Sequence, residues 1–184
     1  MSDALLVIDV QESFRHTPYW RSDDLESFLA AQNKLIAGAR QAGIPVVRIF
    51  HVQDDDGPFS RMRGWIVPLA GSDSVSDFVV EKNVHGALVQ SGLHEWLTEH
   101  GIQRLIISGI RTEQCCETTT RHASDLGYQI DFVTEATLTF PMRHANGNIY
   151  SPDEIKEKTE LVLAGRFARI CTVDDVLSRL AVTV

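Results

Sequence analysis

This 184-residue sequence has few cysteines, no long apolar run and no excess of positive charge. No apolar run approaches the roughly 20 residues that a membrane-spanning helix needs. The three cysteines, two of them adjacent, do not form the even and spaced set that is typical of a disulfide framework. Lysine and arginine number 17 against 25 aspartates and glutamates, and the resulting net charge of −8 argues against nucleic acid or an anionic membrane as the main partner.

The sequence also lacks a basic region before its first apolar run, so we expect no signal peptide. Together with the low cysteine content, this favours a reducing cytoplasm. No internal repeat, low-complexity tract or linker interrupts the chain. With 43% hydrophobic and 23% charged residues, the composition is typical of a single α/β domain over residues 1–184.

Short apolar runs alternate with amphipathic stretches along the chain, and each change of period indicates a change between strand and helix. The alternation predicts a Rossmann-like three-layer α/β/α sandwich around a mainly parallel sheet of about six strands. The predicted strands are residues 4–10, 45–50, 78–81, 104–108, 128–133 and 168–171. The predicted helices are residues 25–42, 86–100 with a new start near 91, 114 onward, 151–165 and 172–180.

Two capping motifs and two long irregular segments complete this outline. Ser151 and Glu154 form a strong capping box with Pro152 between them, and Asp23 with Glu26 predicts a second one. Residues 51–76 form a long segment rich in glycine and proline, a type that is usually functional or mobile. Residues 134–150 are expected to be irregular.

One stretch, residues 104–123, places a cysteine at the start of a helix. The apolar run 104–108 predicts a buried strand, Gly109 breaks it, and helical spacing begins near Gln114. Cys115 therefore lies in the first helical turn, where unpaired backbone N–H groups and the positive end of the helix dipole favour the thiolate. Since the thiolate is the nucleophilic form, Cys115 is a candidate nucleophile.

Two more reactive side chains, Asp9 and Lys82, lie at the ends of predicted strands. Parallel strands bring such ends to one edge of the sheet, where α/β proteins bind ligands. Taken singly, an aspartate there is more often a turn residue, a lysine a solvated charge and a cysteine a small buried side chain. Together they form a chemical set in which Asp9 takes the thiol proton, Lys82 offsets the negative charges and the helix start receives an oxyanion.

Three segments carry a resemblance to a known family, and the resemblance spans nearly the whole chain. They are ALLVIDVQESF at 4–14, EKNVHGAL at 81–88 and LIISGIRTEQCCETTTRHASDLGY at 105–128. In content, order and spacing they resemble the isochorismatase-like cysteine hydrolase superfamily, with its strand-Asp-x-Gln segment, its lysine before a short helix and its Gly-x-x-Thr-x-x-Cys elbow.

The resemblance implies a role for each of the three reactive residues. Cys115 matches the nucleophile, Asp9 the general base and Lys82 the third catalytic residue. The resemblance also implies a cis peptide bond between Ile110 and Arg111, with the backbone N–H groups of Arg111 and Cys115 forming an oxyanion hole. It further implies a homo-oligomer, either a homodimer or a homotetramer.

An intact nucleophile, base and lysine favour hydrolysis of a C–N bond in a small-molecule amide, ureido compound or lactam, through a thioester acyl-enzyme. Isochorismatases proper cleave a vinyl ether and need no cysteine, which is one alternative. A catalytically silent binding or scaffold domain is another, because fold does not fix function. A thiol redox protein that uses Cys115 and Cys116 is a third, although adjacent cysteines form only a strained ring.

The sequence departs from its relatives at several positions. Cys116 stands where the superfamily usually has a small aliphatic residue, and Cys171 lies in an apolar strand and is expected in the core. Metal-dependent nicotinamidases carry an Asp-x-His motif after the second strand, whereas this chain reads HVQDDDG from His51. His51 with residues 54–56 could bind a cation, but an acidic loop is more often solvated. We therefore predict no catalytic metal and no cofactor.

Loop aromatics and arginines are the candidates for contact with a substrate. Phe14, Trp20 and Trp65 predict a flat or apolar substrate wall or, equally, a dimer contact. Apolar residues in the loops around Trp20 and Trp65 also favour an oligomer. Arg111 adjoins the expected oxyanion hole and is the best candidate for gripping a substrate carboxylate. The other arginine candidates are Arg61, Arg63 and Arg143.

Overall fold

Eight β-strands lie between residues 2 and 182, the part of the chain that the structure, a computed structural model, describes. In chain order they are β1 (Ser2–Ile8), β2 (Val46–His51), β3 (Phe78–Lys82), β4 (Ile102–Ile110), β5 (Gln129–Leu138), β6 (Met142–Arg143), β7 (Ile149–Tyr150) and β8 (Arg169–Ile170). Six of them form a parallel sheet in the order β3-β2-β1-β4-β5-β8, and β6 and β7 form a separate antiparallel hairpin. The predicted six-stranded parallel sheet is confirmed.

Helices cover both faces of this sheet, because the central strands are apolar on both sides. Leu5 and Val7 of β1 pack with buried side chains of the first and last helices, whereas Leu6 and Ile8 pack with those of the other three. The predicted three-layer α/β/α arrangement is therefore confirmed. None of the helices between residues 2 and 182 could span a bilayer, given their length and polarity. The helices are α1 (Leu25–Gln41), α2 (Leu93–Glu99), α3 (Glu117–Asp125), α4 (Pro152–Leu163) and α5 (Val173–Val182).

The two predicted capping boxes have different outcomes. At α4 the Ser151 hydroxyl accepts a hydrogen bond from the Glu154 N–H at 3.2 Å, and the Glu154 carboxylate accepts one from the Ser151 N–H at 2.8 Å. At α1 the prediction from Asp23 and Glu26 is wrong, since the helix begins at Leu25 and the side chain of its N-cap residue makes no capping hydrogen bond. The predicted start of α1 at residue 25 is confirmed.

Two element boundaries also differ from the predictions. Only residues 93–99 of the predicted helix 86–100 are helical, and the residues before them form turns in which the Ser91 hydroxyl accepts the Leu93 N–H. Residues 134–150 are not irregular throughout. Strand β5 continues through Leu138, with Thr137 opposite Gly109 after a register shift, and the β6–β7 hairpin follows. Polar residues such as Thr134 and Thr137 concealed this buried half of β5 from an argument based on apolar runs.

Gly109 determines how closely β4 approaches β1. Its φ of +136° lies in a region that residues with a side chain rarely adopt, and an added Cβ would lie 2.1 Å from the Ile8 carbonyl oxygen. A backbone atom cannot move aside as the end of a flexible side chain can. The missing side chain therefore allows the ends of the two central strands to lie next to each other.

We expect Gly109→Ala to lower the free energy of unfolding by at least about 3 kcal/mol, because a disfavoured φ and a clash with backbone add together. Gly43→Ala is the matched control, since Gly43 has a φ of +67° but nothing within 4 Å of the added Cβ. That variant should lose only about 1–2 kcal/mol. Urea denaturation of both variants measures the difference, and equal losses would show that the contact with β1 is unimportant.

Candidate active site

Four buried polar side chains meet beyond the C-terminal ends of the central strands. Asp9 follows β1, His51 and Lys82 end β2 and β3, and Cys115 follows β4. The exposed fractions of the whole residues are 0%, 8%, 4% and 7%, in that order. The structure thus brings together the three residues that the sequence singled out, Asp9, Lys82 and Cys115, and adds a histidine.

The ammonium group of Lys82 lies at the centre of this cluster. Its Nζ is 2.8 Å from Asp9 Oδ2, 3.4 Å from Cys115 Sγ and 3.1 Å from His51 Nδ1. An ammonium carries three N–H groups, so each of these neighbours can accept one of them. Burial lowers the pKa of Lys82, but the charge of Asp9 and the hydrogen bonds to Asp9 and Cys115 outweigh it, and the pKa lies above its ordinary value. Lys82 is therefore a cation at neutral pH.

Cys115 lies in a single π-helical turn, residues Thr112–Cys116, which leads into α3. Burial raises the pKa of its thiol, the carboxylate of Asp9 raises it further, and Lys82 lowers it by less. The expectation that the helix start favours the thiolate is therefore wrong in direction for this structure. Desolvation and a neighbouring negative charge both disfavour the thiolate, so Cys115 is a neutral thiol at rest.

His51 is the member of the cluster that sequence reasoning missed. The sequence makes His51 a possible cation ligand together with residues 54–56, but those aspartates are exposed while His51 is buried beside Lys82. Strand β2 includes His51, and the sheet register pairs it directly with Lys82 of β3. The position of His51 in the sequence could have indicated its place in the cluster, because it comes directly after the apolar run 45–50 and that run ends at the same sheet edge as Asp9.

A second buried residue, Gln11, holds the end of β2 in place. Its side-chain amide donates to the His51 carbonyl at 3.0 Å and accepts from the His51 N–H at 2.7 Å. The same amide donates to Ser13 Oγ at 2.9 Å. These bonds tie the segment after β1 to the last residue of β2, next to Asp9, whose φ is +53°. The Gln11 side chain thereby satisfies both backbone hydrogen-bonding groups of His51.

The donor atoms of Asp9, His51 and Cys115 lie within 4.8 Å of one another, close enough to consider a metal ion. Each of these three residues also hydrogen-bonds to the Lys82 ammonium. A metal ion would have to displace a cation that these donors already surround. The arrangement therefore fits an ammonium better than a metal.

Arg111 lies next to the cluster, and its surroundings bear on its expected contact with a substrate. The peptide bond between Ile110 and Arg111 is cis. The buried guanidinium of Arg111 pairs with Glu113 at 3.0 Å, and its Cζ lies 4.9 Å from the ring centre of Tyr19 and 5.7 Å from that of Phe140. Its charge thus already has a carboxylate partner within the chain.

The aromatic candidates occupy different places. Phe14 is buried, not exposed as a loop residue would be, and its ring centre lies 5.0 Å from that of Phe59, whose ring packs edge-on against His51. The rings of Phe59 and His51 therefore lie between Phe14 and Lys82. Trp20 is half-buried, with its ring centre 5.4 Å from that of Phe140. Trp65 stacks on the imidazole of His16, with ring centres 3.5 Å apart.

The other arginine candidates contact residues of their own surroundings. Arg61 pairs with Glu81 at 2.5 Å, and Arg63 donates to the Asp56 carbonyl at 2.6 Å. Arg143 lies in the exposed β6–β7 hairpin, where it donates to the Gly147 carbonyl at 3.3 Å. None of these contacts brings an arginine to the Lys82 cluster.

Sequence comparison places the chain among known hydrolases. A family model described as the isochorismatase domain matches residues 3–150. The chain is 26% identical to YrdC, an isochorismatase family protein of Bacillus subtilis (strain 168), over 181 residues that cover 95% of this chain and 94% of that protein. It is 29% identical to nicotinamidase 3 of Arabidopsis thaliana over 186 residues, which cover 93% and 85% of the two chains.

Solved structures agree with this result. An isochorismatase from Pseudomonas putida KT2440 matches with a TM-score of 0.81 and 26% identity, covering 94% of this chain and 88% of that one. A cysteine hydrolase from Pseudomonas syringae pv. phaseolicola 1448A matches with a TM-score of 0.90, covering 99% and 93% of the two chains. At 19% identity the second likeness shows the fold alone. Because the family model matches well over half of this chain's length, the chain belongs to the isochorismatase family and is a hydrolase of that family.

Proposed function

We propose that this chain hydrolyses a C–N bond of a small-molecule amide, ureido compound or lactam, with Cys115 as nucleophile and Asp9 as general base. The observation that carries the proposal is the buried Lys82 ammonium, which hydrogen-bonds to both of these residues. Two relatives are named for hydrolytic activities on small molecules, nicotinamidase 3 of Arabidopsis thaliana and streptothricin hydrolase of Streptomyces noursei. The proposal extends this general chemistry to Cys115, Asp9 and Lys82.

The first step transfers the thiol proton of Cys115 to the carboxylate of Asp9. The sulfur then attacks the substrate's carbonyl carbon and forms a C–S bond, while the carbonyl oxygen becomes an oxyanion. Before the transfer the negative charge lies on Asp9, and after it on the sulfur, so the net charge of the cluster does not change. Lys82 contacts both atoms, and it therefore stabilises the charge in either position.

The second step breaks the C–N bond. The oxyanion is held by the backbone N–H groups of Arg111 and Cys115, and it collapses as protonated Asp9 gives its proton to the leaving nitrogen. Water then attacks the thioester, with Asp9 again as base, and the products are a carboxylic acid and an amine. A thioester intermediate divides one difficult hydrolysis into two easier reactions.

The substrate contacts are part of the same proposal. The Arg111 guanidinium lies over the rings of Tyr19 and Phe140, and Phe14 lies behind Phe59 on the side of His51. Phe14 and Phe140 are buried, whereas Tyr19, Trp20 and Trp65 are partly exposed, and we propose that these partly exposed rings contact a flat substrate. Since Glu113 already neutralises Arg111, we propose that its guanidinium recognises a polar group of the substrate as one half of an ion pair.

We expect Cys115→Ala to abolish hydrolysis of any substrate found in a screen of small amides, ureido acids and lactams. Cys116→Ala is the matched control, because Cys116 is fully buried and burial raises the pKa of its thiol well above the ordinary value. That variant should keep its activity, and both should unfold cooperatively on heating. Retained activity in Cys115→Ala with loss in Cys116→Ala would overturn the assignment and favour the second thiol.

A second prediction concerns the pH dependence of Cys115 alkylation by iodoacetamide. In the wild type the reactive form arises by proton transfer from the thiol to Asp9 within the cluster. That form has the same number of protons as the resting form, so the rate should be nearly independent of pH between about 7 and 9. Asp9→Asn removes the acceptor, and the rate should then rise about tenfold per pH unit as hydroxide generates the thiolate.

Mass spectrometry of the labelled peptide measures these rates.

In parallel, Asp9→Asn and Lys82→Ala should each lower turnover at least ~10²-fold, the usual scale for a positioned proton-transfer group. A tenfold rise per pH unit in the wild type itself would remove Asp9 from the role of base.

The chain's assembly is a further proposal, a homodimer or homotetramer. In the segment around Trp65, the side chain of Met62 is 92% exposed and that of Val67 is 44% exposed, which leaves apolar area for a partner copy. We expect light scattering after size exclusion to give at least twice the single-chain mass at micromolar concentration. A mass near 20.5 kDa would contradict the proposal.

A further inference from the structure

The proposed mechanism uses Asp9, Lys82 and Cys115 and gives no task to His51, although this histidine is buried against them. Several contacts fix its position. The sheet register pairs His51 with Lys82, and Gln11 binds both its N–H and its carbonyl. The edge of the Phe59 ring packs on the imidazole, with ring centres 5.4 Å apart. A side chain that is held so firmly can act on its neighbour with defined geometry.

That neighbour is an ammonium whose other two bonds serve the reaction. Two of the N–H groups of Lys82 point to Asp9 Oδ2 and Cys115 Sγ, and the third points to His51 Nδ1 at 3.1 Å. The three bonds of an ammonium rotate together about the Cε–Nζ bond. An acceptor for the third N–H therefore sets the direction of the other two.

The hydrogen bonds of His51 define its tautomer. Nδ1 faces a charged donor and must accept, so it carries no proton. With no proton on Nδ1, the remaining ring proton lies on Nε2 and the imidazole is neutral. The backbone of Val84 acts to raise the pKa of His51, which agrees with a ring that donates on that side.

We propose that His51 is a positioning residue for the hydrolysis, whose neutral imidazole accepts the third N–H of Lys82 and so aims the other two. The inference rests on the proposed function of the cluster. His51 acts through Lys82 and takes no proton from the substrate. The Nδ1 lone pair, which a general base would need, is occupied by the ammonium.

Acid should switch this arrangement off. The charged and titratable groups that face the imidazole are Lys82, Asp9, Cys115 and the exposed His85, whose ring centre lies 6.2 Å away. A proton on Nδ1 would remove the acceptor and place a second cation 3.1 Å from Lys82. Burial and Lys82 both lower the pKa of His51 from its ordinary 6.5, so turnover should fall only in acid below that value.

Two substitutions separate the acceptor from the titration. Asn at position 51 can place its Oδ1 near the site of the imidazole Nδ1 and does not titrate, so His51→Asn should keep kcat within about threefold at pH 7. Leu has no acceptor, and His51→Leu should lower kcat about 10- to 100-fold with KM within about threefold, as expected when a charged donor loses its partner. The wild type should lose activity only as the pH falls below 6.5, while His51→Asn should not.

His85→Asn is the control for the nearby exposed imidazole, and it should retain the acid loss of the wild type. Equal kcat values for the Leu and Asn variants, or an acid loss that persists in His51→Asn, would overturn the proposal. Folding is checked by thermal unfolding, and the Asn variant decides the matter if the Leu variant does not fold.

A readout that is independent of turnover separates this inference from the proposed function. In protein labelled with ¹⁵N-histidine, NMR at pH 7 should show His51 as the neutral tautomer with its proton on Nε2. A proton on Nδ1 would overturn the role of His51, whatever the enzyme hydrolyses. Absence of C–N hydrolysis alongside the expected tautomer would instead reject the proposed function.

Discussion

The buried ammonium of Lys82 is the group on which the rest of the site depends. A cation that leaves water loses its hydration, and this loss is tolerable only where charges and acceptors replace it. Asp9 supplies the charge at 2.8 Å, with the two side chains 0% and 1% exposed. A buried pair of this kind is weak evidence for stability, but it defines where each partner lies. The cluster therefore specifies geometry more than it stabilises the fold.

The sheet topology determines which residues reach Lys82. With the order β3-β2-β1-β4-β5-β8, the chain adds strands outward on one side of β1 and then crosses to β4 on the other side. Ligand sites of open α/β sheets lie at such a switch point. Asp9 follows β1 and Cys115 follows β4, so the two partners of the proposed proton transfer come from opposite sides of the switch. Gly109 allows β1 and β4 to approach closely. Gln11, which follows β1, binds the last residue of β2 and so fixes the position of His51.

The sequence was informative where chemistry depends on position along one strand. Asp9, Lys82 and Cys115 could be predicted as neighbours because each follows an apolar run, and parallel runs end at one edge. His51 also ends such a run, but the polar residues that follow it are typical of a loop and conceal its place in the strand. The pKa of Cys115 could not be predicted, since burial and the charge of Asp9 come from tertiary packing while the helix-terminus argument is local. The second half of β5 could not be predicted from an apolar run, because it contains threonines such as Thr137. It is a strand because it pairs with β4.

A thiol with a raised pKa is compatible with a nucleophile if proton transfer leaves the local charge unchanged. Removing the Cys115 proton to bulk water would leave two negative charges around one ammonium in a buried site, which desolvation opposes. Transfer to Asp9 keeps one negative and one positive charge, and the surrounding medium then has little preference between the two forms. Lys82 lies within hydrogen-bond distance of both atoms throughout. Burial, which works against a free thiolate, thus favours a thiolate that is formed only within the cluster and only when a substrate can consume it.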